Sequence, residues 1–284
     1  MKSSLSNLPL IIVFVATALA VAISVAAGVE AAVGRQTADP LPAKIQPVRG
    51  QFVSEGVPVD EFHCVPKSQG KSPVVILLHG CAPELFGAGE FKQMCIGLAE
   101  RGYYAMFVEY YGAAGAPSCR DLAMTPMFSL APQKPLPDDI WMRELLAARN
   151  SLKNNSKADA TRLGLIGFSF GGTLAVITAS LNPKVVSTIV DYYGFSNPRV
   201  EDAASRVSSF PPTLILQGDS DSRAHVTDSI HLHNVIGKHQ KESEIRVYPG
   251  LEHGFNFREA AGYDEDASDD AWSRALSFLD RHLK

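Results

Sequence analysis

Short apolar runs, each followed by a stretch patterned as a helix, recur along this chain, and no other feature limits its fold as much. The runs are Val74–Leu78, Ala105–Val108, Leu163–Ile166, Val185–Val190, Thr213–Leu216 and Ile245–Val247. Most are apolar throughout rather than at alternate positions, the pattern of strands buried on both faces in a parallel sheet. Helical stretches lie between them near Glu90–Glu100, Asp138–Leu152, Thr173–Leu181 and Val226–His239, and a last helix carries Trp272, Leu276, Leu279 and Leu283 on one stripe. Parallel strands need long crossovers, so the alternation predicts helices covering both faces of the sheet. Ahead of it, Lys44–Val53 and Val57–Val65 flank Ser54-Glu55-Gly56 and predict an antiparallel hairpin. The expected class is α/β over residues 44–284: a mostly parallel central sheet with an N-terminal antiparallel hairpin.

The chain has 284 residues, 46% hydrophobic and 20% charged, which suits one such domain plus a leader. The formal net charge is −4 and no basic patch or long run of like charge occurs, which argues against nucleic acid as a partner. The acidic cluster Asp264 to Asp270 most simply caps the last helix.

At the N-terminus, Lys2 precedes an apolar run from Leu8 to Ala27 broken only by Pro9, Thr17 and Ser24, with small residues following. Residues 1–31 therefore have the pattern of a secretory signal cleaved near Ala27 or Ala31, or of an uncleaved membrane anchor, since the run approaches bilayer-spanning length. Residues 32–43 read as a linker. The expected location is exported, periplasmic or secreted, with membrane contact only through the N-terminal segment if it is retained. Cys64, Cys81, Cys95 and Cys119 would then meet an oxidising compartment, where one or two disulfides can form. Three complete pairings are open. No CxxC or zinc-like His/Cys spacing occurs, so no metal site is expected.

Chemistry concentrates at Gly167-Phe168-Ser169-Phe170-Gly171-Gly172, where an apolar strand turns into a helix. A serine flanked by glycines at such a junction has the nucleophile-elbow pattern. The turn holds the serine in a sparsely allowed conformation, and the glycines leave room for neighbouring backbone. Ser169 is thereby exposed above the positive end of the helix, and the N–H of Phe170 is free to donate to an oxyanion. A plain serine N-cap is the simpler alternative reading.

A serine hydroxyl is a poor nucleophile at neutral pH and needs a histidine base oriented by a carboxylate. In this architecture the partners follow in the order acid, then histidine, at the ends of later strands. After Thr213–Leu216 comes Gln217-Gly218-Asp219-Ser220-Asp221, and after Ile245–Tyr248 comes Pro249-Gly250-Leu251-Glu252-His253-Gly254-Phe255. We read Asp221 as the acid, because Gly218 lets the chain leave the sheet sharply and the third residue beyond can curve back; Asp219 is read as a turn cap. His253 is the expected base. His231 and His233 are two apart on a helix, face different directions, and are read as solvated. Upstream, Val74–Leu78 runs into His79-Gly80-Cys81, where a second oxyanion N–H is expected, and we assign it to the backbone of Cys81. His79 is read as a hydrogen-bonded turn residue. Tyr110, Tyr111, Tyr192 and Tyr193 either line the pocket or are half-buried aromatics at strand ends.

Taken together, these residues resemble the α/β-hydrolase fold and, within it, the dienelactone hydrolase family. The resemblance covers Lys44 to the C-terminus and rests on the Gly167–Gly172 motif, Asp221 followed by His253-Gly254-Phe255, and Asp191-Tyr192-Tyr193-Gly194. It implies hydrolysis of a small-molecule ester or lactone through an acyl-enzyme, with Ser169 as nucleophile, Asp221 as orienting acid, His253 as base, and no cofactor. Two departures are visible. The namesake enzymes use cysteine where this chain has Ser169. They also hold a substrate carboxylate with arginines that find no clear match, since Arg258 is out of register, with Phe257 in the matching place, and Arg120 lies deeper in a loop. Peptide hydrolysis is a rival reading, although related peptidases add a large further domain for which this chain leaves no room. A non-catalytic binder on the same scaffold would be expected to lack a triad member, and none is missing.

Overall fold

The computed structural model describes residues 44–80, 88–111, 137–195, 200, 204, 210–238 and 242–284. Residues 1–31 and 32–43, read above as leader and linker, and Cys81, Cys119 and Arg120 lie outside these residues.

The chain enters with β1 (Val48–Ser54) and β2 (Val57–Cys64), paired antiparallel. Glu55 and Gly56 at the turn both have positive φ (46° and 84°), the two-residue geometry that matches the right-handed twist of a hairpin. Then follow β3 (Ser72–Leu78), α1 (Ala88–Glu100), β4 (Tyr104–Val108), α2 (Pro137–Ser151), β5 (Ala158–Phe168), α3 (Phe170–Leu181), β6 (Thr188–Tyr192), β7 (Thr213–Gly218), α4 (Val226–Gly237), β8 (Ser243–Tyr248) and α5 (Glu265–Leu283). The strand order is β1-β2-β4-β3-β5-β6-β7-β8, parallel from β4 onward. Winding therefore runs outward from β3 in both directions. The crevices that such a reversal opens at the carboxyl ends of the strands are where ligands bind in α/β sheets.

Two apolar layers sandwich the sheet. Phe91, Cys95 and Leu98 of α1 pack with Ala271, Ala275, Phe278 and Leu279 of α5 on one face. Trp141 and Leu145 of α2, Leu174 to Ile177 of α3, and Leu232 and Ile236 of α4 pack on the other. β3 and β4 are buried along their whole length, as uniformly apolar runs require. The last helix opens with Asp264 accepting the N–H of Ala267, so the acidic cluster does begin with a cap.

Two strands differ from their expected bounds. β5 begins five residues before Leu163, because β3 pairs first with Ala158 and Asp159 and then, past a register shift at Pro73/Val74, with Leu163 onward. Asp159 stabilises that irregularity by accepting the N–H and hydroxyl of Thr161 and the guanidinium of Arg162, so polar residues occupy a strand that periodicity alone would have ended. β6 begins at Thr188 rather than Val185, since the Val185 N–H turns back to Asn182 O, and it runs on through Asp191 and Tyr192 beside Gly167 and Phe168.

Cys64, at the end of β2, is joined to Cys95 of α1 by a disulfide, with both residues fully buried. The bond closes a loop of 31 residues. The double variant Cys64→Ala/Cys95→Ala is expected to lose about 3–4 kcal/mol of stability through the added chain entropy of the unfolded state. Urea unfolding of both proteins, with and without reductant, checks this: reductant should lower the midpoint of the native protein alone, and a variant equal in stability to the oxidised protein would contradict it.

Candidate active site

The turn between β5 and α3 consists of Ser169 alone. Its backbone sits at φ 55°, ψ −119°, a left-handed conformation that a non-glycine residue adopts only when its surroundings enforce it. They do so through the Ser169 N–H, which donates to Tyr192 O at 2.8 Å, and through Ser169 O, which accepts from Gly172 and Thr173. The neighbouring glycines are needed for contact. A Cβ on Gly171 would lie 2.2 Å from the Leu78 carbonyl oxygen, and one on Gly167 would lie 2.2 Å from that of Gly171. Both obstacles are backbone and cannot swing aside. Gly80, leaving β3, also runs close beneath the serine, 3.1 Å from its Cβ by the same construction.

Ser169 lies 2.8 Å from Nε2 of His253 through its Oγ, and Nδ1 of His253 lies 2.8 Å from Oδ2 of Asp221. An ionised carboxylate only accepts, so Asp221 selects the tautomer with hydrogen on Nδ1 and leaves Nε2 to accept from the serine hydroxyl. The pairing of Gly167 with Asp191 and of Gly218 with Tyr248 sets the carboxyl ends of these strands level. Loops from β5, β7 and β8 can then meet above them.

Asp221 is enclosed, its side chain wholly out of water. Burial works against its charge, but it is outweighed by the bond from His253 and by the backbone N–H groups of Ala224 and Arg223, so the carboxyl is held below its ordinary range. The N–H groups reach Oδ1 at 2.8 Å each. Gln217 adds its Nε2 to Oδ2 at 3.1 Å, while also donating to Ala224 O at 2.8 Å and accepting from the Ser229 hydroxyl at 2.8 Å. This fully buried amide holds the Asp221 carboxylate in place, and sequence reasoning passed over it; its one signal is a polar side chain at the end of an otherwise apolar strand. Glu252 was missed as well. Its Oε2 accepts from the N–H and hydroxyl of Ser222 and the N–H of His253, tying the acid loop to the histidine loop. Asp219, read as a cap of its own turn, instead reaches across to the loop after β8 and accepts the Gly250 N–H at 2.6 Å.

The other sequence candidates divide. The Phe170 N–H stands in the first turn of α3, among the donors a helix leaves without internal acceptors, and its ring packs edge-on against Trp141. Cys81 lies outside the described residues. Tyr110 and Tyr192 are fully buried: the Tyr110 hydroxyl donates to His79 O, and the Tyr192 ring stacks on Phe168 within the core. Tyr111 is half-buried against the rings of His79 and Trp141. Tyr193 is the one of the four whose ring meets the imidazole of His253, 4.7 Å away. His79 is a turn residue, its Nδ1–H donating to Gly80 O at 2.8 Å, and complete burial pushes its pKa down to about 4. His231 is exposed, but His233 departs from expectation: it is half-buried and bonded to the Ser243 hydroxyl at 2.8 Å, because α4 packs on β8 at that point. Among the described residues no cluster of His, Cys, Asp and Glu could hold a metal ion.

Known proteins agree with this architecture. A Salmonella typhimurium protein assigned as a carboxymethylenebutenolidase is 28% identical over 236 residues, covering 80% of this chain and 84% of that one. The crystal structure of a protein from Klebsiella pneumoniae subsp. pneumoniae, assigned as a dienelactone hydrolase, superposes with a TM-score of 0.68 at 24% identity over 84% of this chain and 99% of its own. An acylaminoacyl peptidase of Pyrococcus horikoshii shares the fold at a TM-score of 0.64 and 18% identity, over 86% of this chain but 42% of its own. The profile of the dienelactone hydrolase family matches residues 59–283, a span that takes in the elbow, the acid loop and the histidine loop, and on that match the chain is a hydrolase belonging to the dienelactone hydrolase family.

Proposed function

We propose that this protein hydrolyses a carboxylic ester or lactone through an acyl-enzyme on Ser169. The observation that carries the reading is the unbroken chain of hydrogen bonds from Ser169 Oγ through the imidazole of His253 to the carboxylate of Asp221, 2.8 Å at each step. As the Ser169 oxygen attacks the acyl carbon, its proton passes to Nε2, and Asp221 stabilises the imidazolium that forms. The developing oxyanion is met by the Phe170 N–H and, on this reading, by that of Cys81. The imidazolium then gives its proton to the leaving alkoxide, which in a lactone stays attached to the acyl group. Water, deprotonated by His253, attacks the acyl-enzyme and frees Ser169. Each step moves protons and an acyl group only, so the chemistry calls for no metal or organic cofactor. Lactone cleavage is supported by the names that several relatives bear.

Export through residues 1–31 belongs to the same proposal. It is supported by the apolar N-terminal run and by the buried Cys64–Cys95 disulfide, a bond that persists in oxidising compartments.

A fluorophosphonate probe, followed by esters of graded chain length beside a lactone and a peptide, tests the reading. The native protein should be labelled at Ser169, Ser169→Ala should not, and turnover should favour ester or lactone over peptide. Undiminished labelling of Ser169→Ala would refute it.

A further inference from the structure

Two hydrogen bonds do not immobilise an imidazole. Those from His253 to Asp221 and Ser169 meet the ring at Nδ1 and Nε2, which fixes the line through the two nitrogens and leaves the ring able to tilt about it. What packs on its faces decides that tilt. His253 is 10% exposed, and among the described residues the rings within reach of it are Tyr193, at 4.7 Å and 58° to its plane, and Phe195, at 5.7 Å and 34°.

Both rings come from the segment after β6, which is held in an uncommon shape. Tyr193 has φ 43°, left-handed backbone that a bulky side chain avoids. The segment is pinned at successive residues: the Tyr193 N–H donates to Leu216 O of β7 at 2.9 Å, and the Gly194 N–H to Asp191 Oδ1 at 2.9 Å. Phe195 is gripped by Thr173 of α3, whose hydroxyl oxygen accepts the Phe195 N–H at 2.8 Å and donates to Phe195 O at 3.0 Å. The close approach of this segment to the nucleophile helix needs Gly172 and Gly194, where a Cβ would lie 1.9 Å and 2.4 Å from Asp191 Oδ1. At the far end of its ring, Tyr193 donates its hydroxyl to Oδ1 of Asn256, a buried residue three positions beyond His253. Asn256 is itself tied to α5, its carbonyl accepting the Ser268 hydroxyl at 3.2 Å.

We propose that Tyr193 is a positioning residue for the base: its ring sets the tilt of the His253 imidazole, and its hydroxyl anchors the loop that carries it through Asn256. Backbone strain at residue 193 is the means by which a side chain from β6 reaches across to a loop from β8. The inference rests on the Ser169–His253–Asp221 reading and adds to it a part that acts through His253 rather than on the reacting atoms. Misplacing a reacting group by about 1 Å can cost on the order of 100-fold in rate, which sets the size of effect to look for.

The test compares Tyr193→Phe, Tyr193→Leu, Asn256→Ala and the double variant Tyr193→Phe/Asn256→Ala with the full chain on a p-nitrophenyl ester, well below each protein's thermal midpoint. His253→Ala is the control. Tyr193→Leu should lower kcat on the order of 100-fold with KM within about twofold. It should also broaden or abolish the strongly deshielded proton resonance of the His253 Nδ1–H bond to Asp221, which loss of core packing elsewhere would leave in place. Tyr193→Phe and Asn256→Ala should each cost about tenfold, and the double variant no more than the worse single, as members of one hydrogen bond behave. If His253→Ala is inactive while Tyr193→Leu keeps native kcat and resonance, the inference falls and the triad reading stands. It also falls if KM rises with kcat unchanged, which would make Tyr193 a substrate contact. Activity surviving in His253→Ala would remove the base itself, and the clamp with it.

Discussion

Ser169→Ala is expected to lower kcat on p-nitrophenyl esters by roughly 10⁵- to 10⁶-fold, leaving about 10³-fold over the uncatalysed reaction from the oxyanion donors and substrate binding. On the proposed acyl-enzyme reading the Ser169 oxygen, 2.8 Å from Nε2 of His253, is the acyl acceptor, and this variant lacks it. His253→Ala should fall to a similar level, and the pair together no further, because the residues act as a unit. Asp221→Asn is the finer probe. An amide that keeps the bonds to Arg223 and Ala224 through its oxygen would turn its nitrogen toward His253 and favour the wrong tautomer, at a cost of about 10⁴-fold. Steady-state kinetics on the three variants, with native-like circular dichroism as the folding control, decides the matter. A Ser169→Ala protein with native kcat would end the acyl-enzyme reading.

A second large effect concerns stability rather than turnover. Two enclosed ionisable groups flank the turn at Ser169 to Gly172, and they pull in opposite directions. Burial pushes the pKa of Asp191 up to about 7, against the single opposing bond from the Gly194 N–H, whereas an unfolded aspartate titrates near 3.8. The stability contributed by Asp191 is thus fully present below pH 3.8 and is lost as pH rises through about 7, on the order of 4 kcal/mol. His79 behaves in reverse. Burial pushes its pKa down to about 4 from 6.5, with the bond to Gly80 O working the other way; its contribution is present above pH 6.5 and is lost as pH falls through about 4, on the order of 3 kcal/mol. Between pH 4 and 7 the two nearly offset. Asp191→Asn should expose the His79 dependence, with stability rising from pH 4 to 7 by about 3 kcal/mol more than in the native protein. Urea unfolding of both proteins at pH 4.5, 5.5, 6.5 and 7.5 measures that difference in slope. Identical slopes would show that Asp191 does not keep its proton in the folded state.

Much of this molecule is legible in its residues. The apolar runs at Val74, Ala105 and Thr213 became β3, β4 and β7 because a strand covered on both faces leaves no polar position for its pattern to hide. The hairpin turn was legible at Glu55-Gly56, and the elbow at Gly167–Gly172, because tight turns select glycine by conformation or contact. Where local pattern and tertiary pairing disagree, reading fails. β5 takes in Asp159 because β3 offers it a partner, and Arg162 in the register shift that follows because Asp159 accepts from its guanidinium, and His233 is drawn against β8 by the packing of a helix that its own sequence does not orient. Gln217, Glu252 and Asn256 carried no motif, since their bonds are defined by what they reach in the fold and many side chains could make the same ones.

The residues alone determined which elements form, their order, and the chemical types available at the ends of β5, β7 and β8, all of which depend on interactions within a few positions along the chain. Only the tertiary structure decided that Ser169 and His253, 84 residues apart, and Asp221 and His253, 32 apart, meet at hydrogen-bond distance. It also decided that Cys64 pairs with Cys95 and that Tyr193 is bent from β6 onto the imidazole. The reason is physical. Periodicity and turn preference are local free energies written into short segments, whereas strand register, burial and the approach of loops at one edge of a sheet are set by the packing of all segments at once.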